Sequence, residues 1–249
     1  MIYQYGKGPV LVFINGYMSN HILFKKQIKE FSKHYTVIIQ DIEGEYVTVE
    51  SLMTEINEKL QELKAKKFIL CGYSLGGVIA MFYAHLYQDR IKKLILMSTT
   101  AEFCLNPITF LGFWVTTWLP MKNIPAFSIK LSLAFQGLIN KNDECVIQDI
   151  IQIARLSKPH NVKQQFRIIL NRNRIMKKFG ATTNSLRKLK IPVLIISGTA
   201  DRLIKPKYAK QLNRLIPNSQ LILIKDSGHY YMLSKPELTN GLIKAFIEE

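Results

Sequence analysis

Residues 72–76 read Gly-Tyr-Ser-Leu-Gly and follow the apolar run Phe68–Cys71. Core packing explains the run but not two glycines spaced two residues either side of a serine. Set between an expected strand and an expected helix, this pattern lifts the Ser74 hydroxyl above a sheet on a turn that tolerates no bulk at 72 or 76. The helix that follows favours negative charge at its N-terminus. A serine that merely caps a helix fits the five residues alone, but this context less well. A serine hydroxyl is a weak nucleophile near neutral pH and needs a base. Of the five histidines, His21, His34, His85 and His160 fall in helical or surface contexts. His229 follows the late apolar run Gln220–Ile224, with Gly228 free to turn the backbone. The base needs a carboxylate to fix its tautomer. Asp201 stands just past Val193–Ser197 and Gly198, where a strand-end loop reaches the same edge as Ser74; Asp226 competes by its closeness to His229 in sequence. Serine, aspartate and histidine so ordered would transfer an acyl group.

These side chains need a scaffold, and the chain writes one. Short apolar runs recur at Val10–Ile14, Thr36–Gln40, Phe68–Cys71, Leu94–Met97, Val193–Ser197 and Gln220–Ile224. Continuous rather than alternating, they suit parallel strands buried on both faces. Helical patterns lie between them: one capped by Thr48, then Leu75–Gln88, Lys205–Leu215 and Pro236–Ile247. The fold class expected is α/β, a doubly wound, mostly parallel sheet. The alternation breaks between about 101 and 190, where periodicity is helical. Residues 1–100 and 191–249 therefore form the expected core, and 101–190 an inserted helical cap over the sheet's C-terminal edge, where ligands bind in open α/β sheets.

Composition narrows the partners. The 249 residues suit one large domain or a domain with an insertion. The start of the chain lacks the pattern of a secretory signal. Three cysteines without metal-like spacing read as free thiols in a reducing cytoplasm, Cys71 being a core residue. No metal or organic cofactor is implied. The charge-free stretch Phe103–Met121 is interrupted by Pro107 and Pro120, so it falls short of the ~20 apolar residues of a membrane span. Lys and Arg number 34 against 18 acids, a net of +16, and residues 151–200 hold eleven basic residues and no acid. Lys163, Arg167, Arg174 and Lys178 share one helical face. A one-sign block steers acidic partners. Without aromatic interleaving or a reading motif it does not point to nucleic acid.

The elbow around Ser74, Gly198-Thr199-Ala200-Asp201 with Pro206, and Ser227-Gly228-His229 with Lys235-Pro236-Glu237 together resemble the α/β-hydrolases over nearly the whole chain. The resemblance implies an oxyanion hole from the N–H groups of Leu75 and Tyr17. The usual His-Gly before that second donor reads Asn15-Gly16 here, and the family's opening hairpin is shortened. A serine nucleophile implies esters, thioesters or amides, cleaved through an acyl-enzyme. Apolar cap residues between Phe110 and Phe135, with Trp114 and Trp118, offer an acyl site. Leu133-Ala134-Phe135-Gln136 is similar to a cap segment of the pimeloyl-acyl carrier protein methyl ester esterases of biotin synthesis. Carried over, Tyr17, Phe135 and Gln136 would touch substrate, and the basic face would meet an acidic acyl carrier protein. The competing readings are a lipase or thioesterase at anionic membranes, drawn there by the basic cap, and a non-catalytic small-molecule binder on the same fold.

Overall fold

A computed structural model of the protein describes residues 1–44, 47–101, 111, 114, 144–179 and 183–249, with the backbone alone at 159, 172 and 176–179. Seven strands form one sheet: β1 (Ile2–Tyr5), β2 (Val10–Ile14), β3 (Thr36–Gln40), β4 (Phe68–Tyr73), β5 (Ile91–Met97), β6 (Val193–Gly198) and β7 (Ser219–Ile224). Their spatial order is β1-β3-β2-β4-β5-β6-β7, and every pairing is parallel except β1 with β3. Six strands coincide with the apolar runs to within three residues. The seventh, β1, was not expected: it is a short, half-buried edge strand carrying Gln4.

The helices are α1 (Lys25–Phe31), α2 (Val49–Glu62), α3 (Leu75–Tyr87), α4 (Glu144–Leu156), α5 (Pro159–Phe179), α6 (Thr183–Leu186), α7 (Pro206–Leu215), α8 (Tyr231–Ser234) and α9 (Pro236–Glu248). A single 3-10 turn, His21–Phe24, leads into α1. Thr48 caps α2 as expected: its hydroxyl accepts from Ser51 N–H while the Ser51 hydroxyl accepts from Thr48 N–H. Helices α4, α5 and α6 come between β5 and β6 in the chain.

Strand residues alternate between two cores. Val12, Ile14, Leu70 and Ile195 face one side with Leu52 and Ile56 of α2, Ile79 of α3 and Leu212 of α7. Leu11, Phe13, Ile69 and Ile196 face the other with Phe31 of α1, Ile147 of α4 and Phe246 of α9. Burial on both faces is why the strands show no polar alternation. Cys71 is buried in the second core, and burial pushes its thiol well above its ordinary pKa. Among the described residues no helix is long and apolar enough to cross a membrane, and no three His, Cys, Asp or Glu side chains gather as metal ligands.

Candidate active site

Parallel strands end on one edge, and the loops there carry the residues singled out in the sequence. Ser74 sits between β4 and α3 with φ 52° and ψ −116°, a left-handed backbone that a non-glycine residue adopts at a cost. Its surroundings hold it there. Ser74 N–H donates to the Met97 carbonyl at 2.9 Å, and the Thr99 hydroxyl donates to the Ser74 carbonyl at 2.7 Å. The flanking glycines are needed for close approach. A Cβ at 76 would run into the Ile14 and Asn15 carbonyls, and one at 72 into the backbone of Gly76 and Gly77. Leu75 is the first residue of α3, so no carbonyl of its own helix reaches its N–H.

The loop after β2 lies against the serine. A Cβ on Gly16 would come within 3.1 Å of the Ser74 Cβ and 3.0 Å of the Tyr73 ring. Tyr17 follows, half-buried at the border of the core. Asn15 N–H donates to the Gln40 carbonyl at 3.0 Å, and its side-chain amide donates to Asp41. The neighbouring histidine joins them: His21 N–H donates to Asp41 Oδ2 at 3.1 Å. The Asn15 side chain that replaces the usual histidine is therefore tied to a buried carboxylate.

At the other end of the edge, β6 and β7 deliver an aspartate and a histidine. His229 Nδ1–H donates to Asp201 Oδ2 at 2.6 Å. Asp201 Oδ1 accepts from the N–H groups of Leu203 and Ile204 at 3.0 and 2.9 Å. Both residues of the pair are buried. This leaves His229 Nε2 as the ring nitrogen not engaged by Asp201. The Tyr73 ring, next to Ser74, lies 5.0 Å from the His229 ring, centroid to centroid. Asp226, the competing acid, is exposed and has a left-handed backbone at φ 53°.

Of the cap residues, Phe135 and Gln136 lie outside the described residues, as does most of the apolar stretch around them. Leu111 and Trp114 are described and exposed. Lys163, Arg167 and Arg174 stand on the exposed face of α5, opposite buried Asn161 and Gln165. Lys178 continues the helix, its side chain outside the description. Asp41 and Gln165 were missed as contributors to this edge, while Asn15 was singled out only as the replacement for the usual histidine. Of the two missed residues only Asp41 carried a signal, since it follows a strand as Asp201 does.

A family model described as alpha/beta hydrolase fold matches residues 9–236. The chain is 25% identical over 244 residues to a pimeloyl-[acyl-carrier protein] methyl ester esterase of Vibrio cholerae, covering 93% of this chain and 91% of that protein. It is 26% identical to the AB hydrolase superfamily protein YisY of Bacillus subtilis, over 97% of this chain and 92% of that one. Among solved structures, a thermophilic esterase from Thermogutta terrifontis superposes with a TM-score of 0.81 at 24% identity, covering 100% of this chain and 92% of the other.

Proposed function

Because the chain belongs to the alpha/beta hydrolase fold family, we propose that it is a serine carboxylic ester hydrolase with Ser74, Asp201 and His229 as its catalytic residues. One observation carries the reading: Asp201 holds His229 at 2.6 Å on the sheet edge where the Ser74 turn stands. In this mechanism Ser74 Oγ attacks the ester carbonyl carbon as His229 Nε2 takes its proton. Asp201 stabilises the imidazolium and keeps Nδ1 as the donor. The carbonyl oxygen becomes an oxyanion that accepts from the N–H groups of Leu75 and Tyr17. Collapse breaks the ester C–O bond, and the imidazolium protonates the leaving alcohol. Water, deprotonated by His229, then attacks the acyl-enzyme, and the acid departs with Ser74 reprotonated. The Tyr73 hydroxyl, pushed well above its ordinary pKa by burial, stays neutral beside His229.

A serine-directed fluorophosphonate tests this. It should label the wild type and leave Ser74→Ala unlabelled, and kcat on a p-nitrophenyl ester should fall by roughly 10⁶-fold. Full labelling of a folded Ser74→Ala protein would remove the assignment. A wild type with neither labelling nor turnover would favour a non-catalytic binder.

Within this class we propose an acyl ester presented by an acidic acyl carrier protein, of the pimeloyl methyl ester type, with the enzyme in the cytoplasm. Support comes from the name of the Vibrio relative, the Leu133–Gln136 segment, and the basic face of α5. Residues 101–190 act as the cap, with Tyr17, Phe135 and Gln136 against the acyl chain. Exposed charges act mainly through long-range attraction, which salt screens over ~8–10 Å. Reversing Lys163, Arg167, Arg174 and Lys178 to Glu should raise KM for a carrier-linked ester and leave a small p-nitrophenyl ester nearly unaffected. Equal turnover of the carrier-linked ester at low salt would discard the carrier. Loss confined to anionic vesicles would favour a lipase or thioesterase at membranes.

A further inference from the structure

The loop that offers the Tyr17 N–H is held from two sides. From the sheet, Asn15 is bonded to the Gln40 carbonyl and to Asp41. From the inserted helices, one buried amide reaches down. Gln165 of α5 accepts from Met18 N–H through Oε1 at 2.8 Å and donates from Nε2 to the Ile42 carbonyl at 2.8 Å. Its side chain thus bridges the loops after β2 and β3, to partners 147 and 123 residues away in sequence.

The bond to Met18 matters because of what it fixes. Met18 N–H and the Tyr17 carbonyl belong to one planar peptide unit. Gln165 takes the N–H, and the Ser19 hydroxyl donates to the carbonyl at 3.3 Å. Met18 itself has φ 51°, a left-handed conformation that L-residues with a Cβ adopt only when held. Without an acceptor for its N–H, this part-buried peptide would have reason to flip. Losing that anchor would free Tyr17 Cα to shift, and the neighbouring peptide unit, whose N–H is that of Tyr17, hinges on the same atom. From this we infer that Gln165 is a positioning residue: the helix outside the sheet aligns the second oxyanion donor through the Met18 peptide.

The same helix supplies an internal control. Asn161 stands one turn earlier on the same buried face, and its Oδ1 accepts from Gly44 N–H at 3.1 Å. Among the described residues it ties α5 to the β3–α2 loop and not to the loop after β2. Loss of Asn161 should loosen the helix's attachment without touching the Tyr17–Met18 peptide.

The inference rests on the ester-hydrolase reading, and the test separates the two. The proteins compared are wild type, Gln165→Leu, Gln165→Asn, Gln165→Glu and Asn161→Ala. Each is measured for Tm and for kcat and KM on p-nitrophenyl acetate, and for its rate of fluorophosphonate labelling. Gln165→Leu removes both bonds at similar volume. Its kcat should fall about 10- to 100-fold with KM nearly constant, as expected when a donor is misplaced rather than deleted. Gln165→Asn is too short to span both loops and should show the same split, so it carries the test if the leucine variant does not fold. Gln165→Glu keeps the acceptor for Met18 N–H and should recover most of kcat. Asn161→Ala should lower Tm but keep kcat within about twofold of wild type. If Gln165→Leu or Gln165→Asn loses no more kcat than Asn161→Ala at a similar Tm, the positioning role is overturned while the hydrolase reading stands. If the wild type neither turns over the ester nor labels at Ser74, both fall together.

Discussion

Two aspartates lie at opposite ends of the sheet's C-terminal edge, with strands β2, β4 and β5 between those that carry them. Asp201 follows β6 and Asp41 follows β3; both side chains are fully buried. They differ in what meets them. Asp201 has two backbone N–H donors on one oxygen and the His229 ring on the other. Asp41 has one backbone N–H, from His21, and the Asn15 amide, while the His21 ring stays 3.5 Å off. Burial pushes the Asp41 carboxyl up to about 6, with the charge of Glu43 adding to it. The His21 N–H, the Asn15 amide and the His21 ring pull the other way without prevailing. At Asp41, then, burial outweighs the donors that meet the carboxylate. The geometric contrast is in the donors: among the described residues Asp201 meets three, one of them a histidine ring at 2.6 Å, and Asp41 two.

The largest effect should come from Asp201. Asp201→Asn keeps the shape but presents an amide to His229 and favours the wrong tautomer, so kcat should fall by roughly 10⁴-fold. A fall of less than tenfold on a p-nitrophenyl ester would erase the functional half of the contrast.

The second prediction concerns pH and Asp41. Its pKa in the fold, about 6, lies above the ordinary value of 3.8. Between those values the folded protein binds more protons than the unfolded chain, so this group's contribution to stability is full below pH ~4 and is lost as pH rises through 6. The loss amounts to at most about 3 kcal/mol, at ~1.36 kcal/mol per pKa unit. Urea melts at pH 4.5 and 7 should show it in the wild type and not in Asp41→Asn. The difference of differences cancels the titrating groups that do not interact with Asp41. An equal pH response in both proteins would mean that Asp41 does not titrate there.

The smallest effect should come from Asp226, the acid nearest His229 in sequence. It is exposed, and its left-handed backbone is one that asparagine accepts. Asp226→Asn should leave kcat within about twofold and stability within ~0.5 kcal/mol. A larger loss of kcat than at Asp201 would reverse the assignment of the acid.

Sequence reading reached the parts of the molecule written locally. Val10–Ile14 and Thr36–Gln40 emerge as strands at their expected bounds, because residues buried on both faces leave an uninterrupted apolar run. The Ser74 turn was legible because the geometry leaves no space for a Cβ at 72 or 76. β1 escaped because an edge strand needs neither full burial nor an unbroken apolar run, and Ile2–Tyr5 is half-buried and interrupted by Gln4. α1 escaped because its seven residues include three lysines, and its buried polar residue, Gln27, finds its partners on α8 and α9: the Met232 carbonyl and the Asn240 side chain. Gln165 was illegible for the same reason. A glutamine in a basic, amphipathic helix looks like any other until the fold brings Met18 and Ile42 to it.

The strand order has a consequence for how the chain is made. β2, β3 and β4 can pair soon after synthesis, and β5 adds beside β4 once residue 97 is complete. Its other edge must wait for β6, and residues 98–192 come first. At ~5–20 residues per second, translation takes roughly 5–20 s to reach that partner. For that interval Ile91–Met97 presents an open row of backbone N–H and C=O groups, with the apolar side chains of Leu94, Ile95, Leu96 and Met97 on either face. The interruption of the sheet that sets α4 and α5 between β5 and β6 thus also sets the stretch of synthesis in which the nascent chain is most open to mispairing.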